Sequence, residues 1–255
     1  MQCKLCLKNK TLLKKSHIIP DFMYKELFDD IHRLHEVRVT ENGQLKGRIK
    51  QTGAYEGNIL CFECDNERIG SLENYARKVL YGGTAISVVN ERNQHGMTST
   101  LCKEMDYSKF KLFLLSVIWR ASISSLPMFK TLDLGDHEDR IRRMILESFP
   151  GESTDYACFL MTYVHQKQVP HQIISEPSII SKNGGFTCFL MIAGVLYIYF
   201  IGHQNIEPWA VHCIINKNGD MRVLHLPPHL AGKALNKLMG VNLFNENIVT
   251  VETRK

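Results

Sequence analysis

Cys3-Lys4-Leu5-Cys6 near the start of the chain and Leu60-Cys61-Phe62-Glu63-Cys64-Asp65-Asn66 further on decide how its first third folds. Each Cys-x-x-Cys pair has the spacing of a thiolate knuckle, and four thiolates close a tetrahedral zinc site. With 54 residues between Cys6 and Cys61, such a site ties the N-terminus to a point far along the chain. The remaining cysteines, Cys102, Cys158, Cys188 and Cys213, are widely spaced. The last three lie in apolar, strand-like runs and read as inert core residues.

Between the knuckles stands Ser16-His17-Ile18-Ile19-Pro20. A lone histidine is more often structural than functional, but this one lies between two metal knuckles, and Pro20 fixes the chain just beyond it. A neutral imidazole takes a proton from water at physiological pH. The hydroxide so formed attacks a phosphodiester, and the charge that develops on the phosphate calls for a divalent cation beside it. Asp65, directly after Cys64, is the candidate ligand of that catalytic Mg2+ or Mn2+. It reads equally as the N-cap of a following helix. Ser16, Asn66 and Glu73 are secondary candidates, Glu73 lying two helical turns beyond Asp65. Lys4, Lys8, Lys10, Lys14 and Lys15 occur with no acid among residues 1–15. They are candidate nucleic-acid contacts, and the same run reads as a solvated basic turn.

Along the chain, residues 16–19 read as a short strand, 21–38 as a helix carrying Phe22, Leu27, Ile31 and Leu34, and 39–57 as a mobile polar insertion turning at Asn42-Gly43. Residues 58–61 read as a second strand, followed by a helix from Asp65 to about Tyr81 that Gly82-Gly83 stops. Residues 84–105 read as linker, most exposed at 90–100. Helices are expected over 107–124 and 136–148, the second presenting Arg140, Arg142 and Arg143 to solvent or phosphate. Beyond 155 the pattern changes to β-rich runs at 156–164, 172–180, 187–192, 196–201, 210–215 and 221–226, with turns at Asn183-Gly184-Gly185 and Asn218-Gly219. A closing helix is expected over 228–239. Trp119-Arg120, inside an apolar helix, reads as core packing. His165, His171, His203, His212, His225 and His229 match no catalytic pattern, and Pro227 and Pro228 break the spacing of the last pair.

At 255 residues the chain holds one large domain or two small ones. Apolar and charged contents of 44% and 22% are those of a globular protein and exclude a largely disordered one. The net charge of +5 and pI of 8.7 permit nucleic-acid binding without demanding it. The apolar run 186–202 contains Gly194, is rich in β-branched and aromatic residues and falls short of a membrane span. It reads as two buried strands turning at Ala193-Gly194, and no membrane partner is expected. Met1-Gln2-Cys3-Lys4 does not open an apolar leader. The chain therefore reads as cytoplasmic, where thiols stay reduced and Cys-x-x-Cys binds metal.

Cys3-x-x-Cys6, Ser16-His17-Ile18-Ile19-Pro20 and Leu60-Cys61-x-x-Cys64-Asp65-Asn66 together resemble the HNH endonuclease family over roughly residues 1–82. The resemblance implies a zinc-stapled ββα-metal unit, with His17 as general base and Asp65 as ligand of a catalytic divalent ion. It implies phosphodiester hydrolysis, DNA before RNA. By family context it also implies a place in anti-phage defence, with a homodimer or an ATPase or sensor subunit as partner. Three departures stand out. Ser16 replaces the acid that ordinarily precedes the histidine; the position of the bracing Asn falls near Glu56, with Asn58 close by as a substitute; and the knuckles are further apart than in compact members. The expected architecture is α+β: an HNH-like unit over 1–83, a linker over 84–105, and over 106–255 helices packed on an antiparallel sheet. Two other readings remain open. One is a non-catalytic zinc module that binds nucleic acid or protein. The other is a sheet domain that senses a small molecule, with the zinc unit as a staple.

Overall fold

The computed structural model describes residues 1–39, 45–92, 97–163, 174–182, 184–202 and 206–226. The Asn42-Gly43 turn, Asn183, the closing helix over 228–239, and His165, His171, His203 and His229 lie outside them. The architecture is α+β. Strand β1 (Ser16–His17) pairs with β4 (Tyr55–Glu56), matching Ser16 to Glu56 and His17 to Tyr55. Between them run a 3-10 turn, Asp21–Leu27, and a hairpin of β2 (Leu34–Val39) and β3 (Leu45–Lys50).

The helix expected over 21–38 is thus shortened to its first part. Met23, Tyr24 and Leu27 bury, and beyond them the chain turns at His32, whose φ is +59°. The second strand also falls earlier than expected. Residues 58–61 do not form it, because Asn58 adopts a φ of +62° and Cys61 makes a single bridge with Leu12.

Helix α1 (Gly70–Tyr81) is preceded by a π-helical segment, Glu63–Ile69, and ends at Gly82, where φ is +89°. Helix α2 (Tyr107–Ile123) starts at an Asp106 N-cap whose carboxylate accepts from Lys109 N at 3.0 Å. It is buried on nearly every side from Phe110 to Ile123, and α1 and α3 (His137–Glu147) pack against it.

The main sheet has the order β5-β6-β11-β7-β10-β9-β8. Its strands are β5 (Ser87–Arg92), β6 (Thr98–Lys103), β7 (Cys158–Tyr163), β8 (Ser178–Lys182), β9 (Gly185–Ile192), β10 (Val195–Ile201) and β11 (Met221–Leu226). The β9–β10 turn falls at Ala193-Gly194, with φ of +51° and +77°, as a two-residue hairpin turn requires. No helix among the described residues is long and apolar enough to cross a membrane.

Three expectations change. The sheet is mixed rather than antiparallel, because β11 lies parallel to β7. The supposed linker over 84–105 carries the edge hairpin β5–β6. Ser87, Val88, Val89 and Asn90 are all exposed there, so this edge strand lacks the alternation that marks a half-buried one. Residues 210–215 are no strand. Short helix α4 (Pro208–Val211) crosses instead, and Ala210, Cys213 and Ile214 cover one face of the sheet against Phe159, Met191, Leu196 and Ile198. The larger core runs without interruption from Leu5, Ile18 and Leu60 through Phe113 and Ile118 to Leu160 and Tyr197. The first 83 residues therefore share their interior with α2 and the sheet.

Candidate functional site

The first knuckle folds back at Leu7, which takes a φ of +57°. Leu7 N donates to Cys3 O at 2.9 Å and Cys3 N to Lys8 O at 3.0 Å. The second knuckle abuts it, with Cys61 N donating to Cys3 Sγ at 3.4 Å. The sulfurs of Cys3, Cys6, Cys61 and Cys64 all lie within 4.8 Å of one another. A tetrahedral zinc with bonds of about 2.3 Å needs its sulfurs about 3.8 Å apart, so the four cysteines lie together as a set that could hold a metal such as zinc.

Burial pushes the Cys61 thiol up to about 11 and raises that of Cys64 as well. Burial also acts on Cys3, but backbone N–H groups of Cys6, Cys61 and Leu5 outweigh it and lower that thiol. Four thiolates crowded this closely need a cation between them. Two elements from later in the chain hold the knuckle. Lys4 Nζ donates to Ile123 O at the end of α2, at 2.7 Å. Arg142 Nη1 of α3 donates to Leu5 O at 2.9 Å, so Arg142 is drawn onto the knuckle instead of facing solvent.

The helix begins at once after Cys61: Asp65 N donates to Cys61 O at 3.0 Å. Asp65 therefore sits inside the helix and is not its N-cap, because the knuckle itself supplies the first turn. The Asp65 side chain is half-buried. Burial raises its carboxyl and the nearby Glu73 adds to this, while Arg120, a hydrogen-bonding interaction with Ser16, and His17 favour the charged form. The helix that follows the second knuckle, strand β1 and α2 thus bring Asp65, Ser16, His17, Glu73 and Arg120 into one neighbourhood. Ser16 is fully buried, and its hydroxyl reaches no partner at full hydrogen-bond geometry even though it faces Asp65. His17 keeps its side chain 36% exposed. Its Nε2 stands 3.6 Å from Asp21 Oδ1, and its ring meets the Tyr55 ring edge-on at 6.5 Å.

Arg120 is the residue that sequence reasoning assigned to core packing alone. It is 1% exposed. Its Nε donates to Ser116 O at 3.1 Å, and its Nη1 donates to the main-chain oxygen of His17 at 2.8 Å. Nη1 also lies 2.7 Å from Glu73 Oε1, an ion pair whose alignment leaves that oxygen outside hydrogen-bond geometry. Glu73 is thereby engaged by Arg120. The signal available in the sequence was a permanently charged residue within an apolar helical stripe.

Glu56 was missed as well. Its carboxylate accepts from Ser124 Oγ at 2.7 Å, Ser125 N at 2.9 Å and Ser125 Oγ at 2.8 Å. Burial opposes its ionisation, but these bonds hold the carboxyl below the usual range. It braces the strand where the resemblance expects an Asn. Asp21, four residues past His17, was the third omission.

Asn66 is exposed on the helix. The five lysines do not form one free patch. Lys4 is bound to α2, Lys10 pairs with Glu63 at 2.8 Å, and Lys15 lies over the Tyr55 ring at 4.7 Å. Lys8 and Lys14 are exposed. A groove of about 670 Å³ beside the knuckle is lined by Lys8, Lys10 and Arg68 but also by Glu63 and Glu67, so its charges largely cancel. Among the described residues, the four cysteines are the one group of three or more His, Cys, Asp or Glu side chains that converges on a common point. No protein-family model matches the chain, and no curated protein or solved structure is significantly similar to it.

Proposed function

We propose that this chain is a metal-dependent, HNH-like nuclease that hydrolyses phosphodiester bonds, of DNA before RNA, with zinc in its cysteine cluster. The observation that supports this reading best is that the cysteine cluster draws together the two segments that carry a half-exposed His17 and the half-buried Asp65. In this reading His17 accepts the proton of the attacking water. Asp21, 3.6 Å from Nε2, stabilises the imidazolium that results. Asp65 and Ser16 would hold a hard divalent cation, which supplies stabilisation of charge on the phosphate. The residues fit such an ion: Ser16 Oγ is a buried oxygen near Asp65 that reaches no partner at full hydrogen-bond geometry, and Asp65 and Glu73 together oppose a single guanidinium.

His17→Ala tests the reading. It is expected to abolish Mg2+- or Mn2+-dependent nicking of a plasmid while zinc content and thermal unfolding stay as in the wild type. A second reading, a non-catalytic zinc module that binds nucleic acid or protein, is favoured by Ser16 standing where an acid would ligate the ion. Wild-type protein that cuts neither DNA nor RNA with any divalent ion would leave that reading in place.

A further inference from the structure

We propose that Arg120 is a positioning residue for the candidate site, so that a helix from the second half of the chain sets the strand that carries His17. This rests on His17 being the general base. A guanidinium buried as deeply as Arg120 is costly unless it is paired and its donors are used. Nε and Nη2 face Ser116 within α2, at 3.1 Å from its carbonyl and 3.5 Å from its hydroxyl. Nη1 reaches out of the helix to the His17 carbonyl and to Glu73.

Packing of Ile18 and Ile19 anchors the far end of the strand it meets, but few hydrogen bonds fix the strand itself. β1 is two residues long, and its partner β4 is equally short. The next bond along is Ile18 N to Ala54 O at 3.0 Å. β4 hangs from the same helix, since Glu56 is bound to Ser124 and Ser125 just past the end of α2. Both strands of the pair are therefore fastened to α2, one by Arg120 and one by Glu56. Arg120 acts on His17 through the main chain and not through the ring. The setting of the imidazole beside Asp21 and Tyr55 then depends on α2 being docked, and the first 83 residues do not carry a self-sufficient site.

Two variants of the full-length, zinc-loaded protein test this. Arg120→Lys keeps the charge but loses the fork that spans two acceptors. Arg120→Met combined with Glu73→Gln removes the cation and its counter-charge together, so neither is left buried alone. In both, hydrogen exchange over residues 16–20 and 54–57 should quicken by about tenfold or more, with α2, the sheet and zinc content unchanged. Turnover of plasmid DNA should fall about 100-fold with KM nearly constant, the cost of a misplaced catalytic group.

Unchanged exchange at those segments in a zinc-loaded variant overturns the proposal, and so does faster exchange with undiminished kcat. Should the double variant fail to fold, the lysine variant decides on the same readouts. Should the wild type cut no nucleic acid, the nuclease reading falls, and the exchange measurement still decides whether Arg120 holds the strand.

Discussion

In the zinc-loaded protein, stripping the metal from the cysteine cluster is expected to release the first fifteen residues while the sheet stays folded. A bridge between the knuckles closes a loop with 54 intervening residues. Treated as a covalent cross-link of that length, it removes about 4 kcal/mol of entropy from the unfolded chain. Measured on small zinc domains, the whole metal contribution is on the order of 10 kcal/mol. The segment has three main-chain bonds to residues 58–60 and two charge-assisted bonds, Lys4 Nζ to Ile123 O and Arg142 Nη1 to Leu5 O. Lys4 N and Leu13 N donate to Ile59 O and Leu60 O, each at 2.9 Å, and Asn58 N donates to Leu13 O at 2.8 Å. At about 1 kcal/mol for each main-chain bond and about 2 kcal/mol for each charge-assisted one, with about 2 kcal/mol for burying Leu5, they total roughly 9 kcal/mol. Ordering fifteen residues costs roughly 15 kcal/mol. The segment therefore falls short by roughly 6 kcal/mol without metal, a deficit that a bound metal more than covers.

The assay is chelation by phenanthroline, zinc release followed with a colorimetric indicator, and hydrogen exchange read by mass spectrometry. One equivalent of zinc should leave, with loss of protection over 1–15 and 58–64. Cys102→Ser should leave the metal content unaltered. Metal-free protein that keeps its protection over 1–15 would show that the segment is held without the metal.

Glu56→Ala removes three bonds to a carboxylate and should cost about 2–3 kcal/mol at pH 7, read from the urea midpoint. Because the folded carboxyl lies below its ordinary range, the stabilisation is present above that range and disappears as pH falls through it; an equal deficit at pH 3 would contradict this. Lys111 is 2% exposed, donates to Glu152 O and Tyr107 Oη, and burial lowers it from 10.5 to about 8. The unfolded chain then binds more protons between those values, so stability gains on the order of 3 kcal/mol as pH rises from 8 to 10.5. Lys111→Met should flatten this rise, and an identical pH profile would be the contrary result. At Gly57 a Cβ would stand 2.7 Å from Lys14 O; Gly57→Ala should therefore cost about 1–3 kcal/mol and quicken exchange at Ser16 and His17, whereas an unchanged melting temperature would show that the strand yields freely.

Much of the fold was legible because its signals are local. Helix α2 follows from its apolar stripe and Asp106, and α3 from the acids at its start. The β9–β10 hairpin follows from a glycine inside an apolar run too short to span a membrane. The knuckles were legible because thiolate geometry admits few spacings. What misled was pattern without context. Phe22, Leu27, Ile31 and Leu34 lie at helical intervals, yet Ile31 ends 66% exposed and Leu34 opens a strand. β5 has no buried face to imprint a period of two on its sequence. The parallel pairing of β11 with β7 is set by where the chain re-enters the sheet after α4, a long-range property that no local window contains.

The candidate site divides along the same line. Cys3, Cys6, Cys61, Cys64, Ser16, His17 and Asp65 fall in two short segments, and the cysteines alone imply that these meet. Arg120 and Glu56 acquire meaning only when α2 is placed beneath the β1–β4 pair. Arg120 is separated from His17 by 102 residues, and its bond is to a carbonyl that every residue possesses. Its charge was nevertheless visible: an arginine in a helix otherwise buried on all sides must find both an anion and an acceptor. Glu73 supplies the first and the main-chain oxygen of His17 supplies the second. A buried guanidinium tied at once to a carboxylate and to a two-residue strand holds that strand in one place. The same desolvation that makes Arg120 costly to bury gives the site its rigidity.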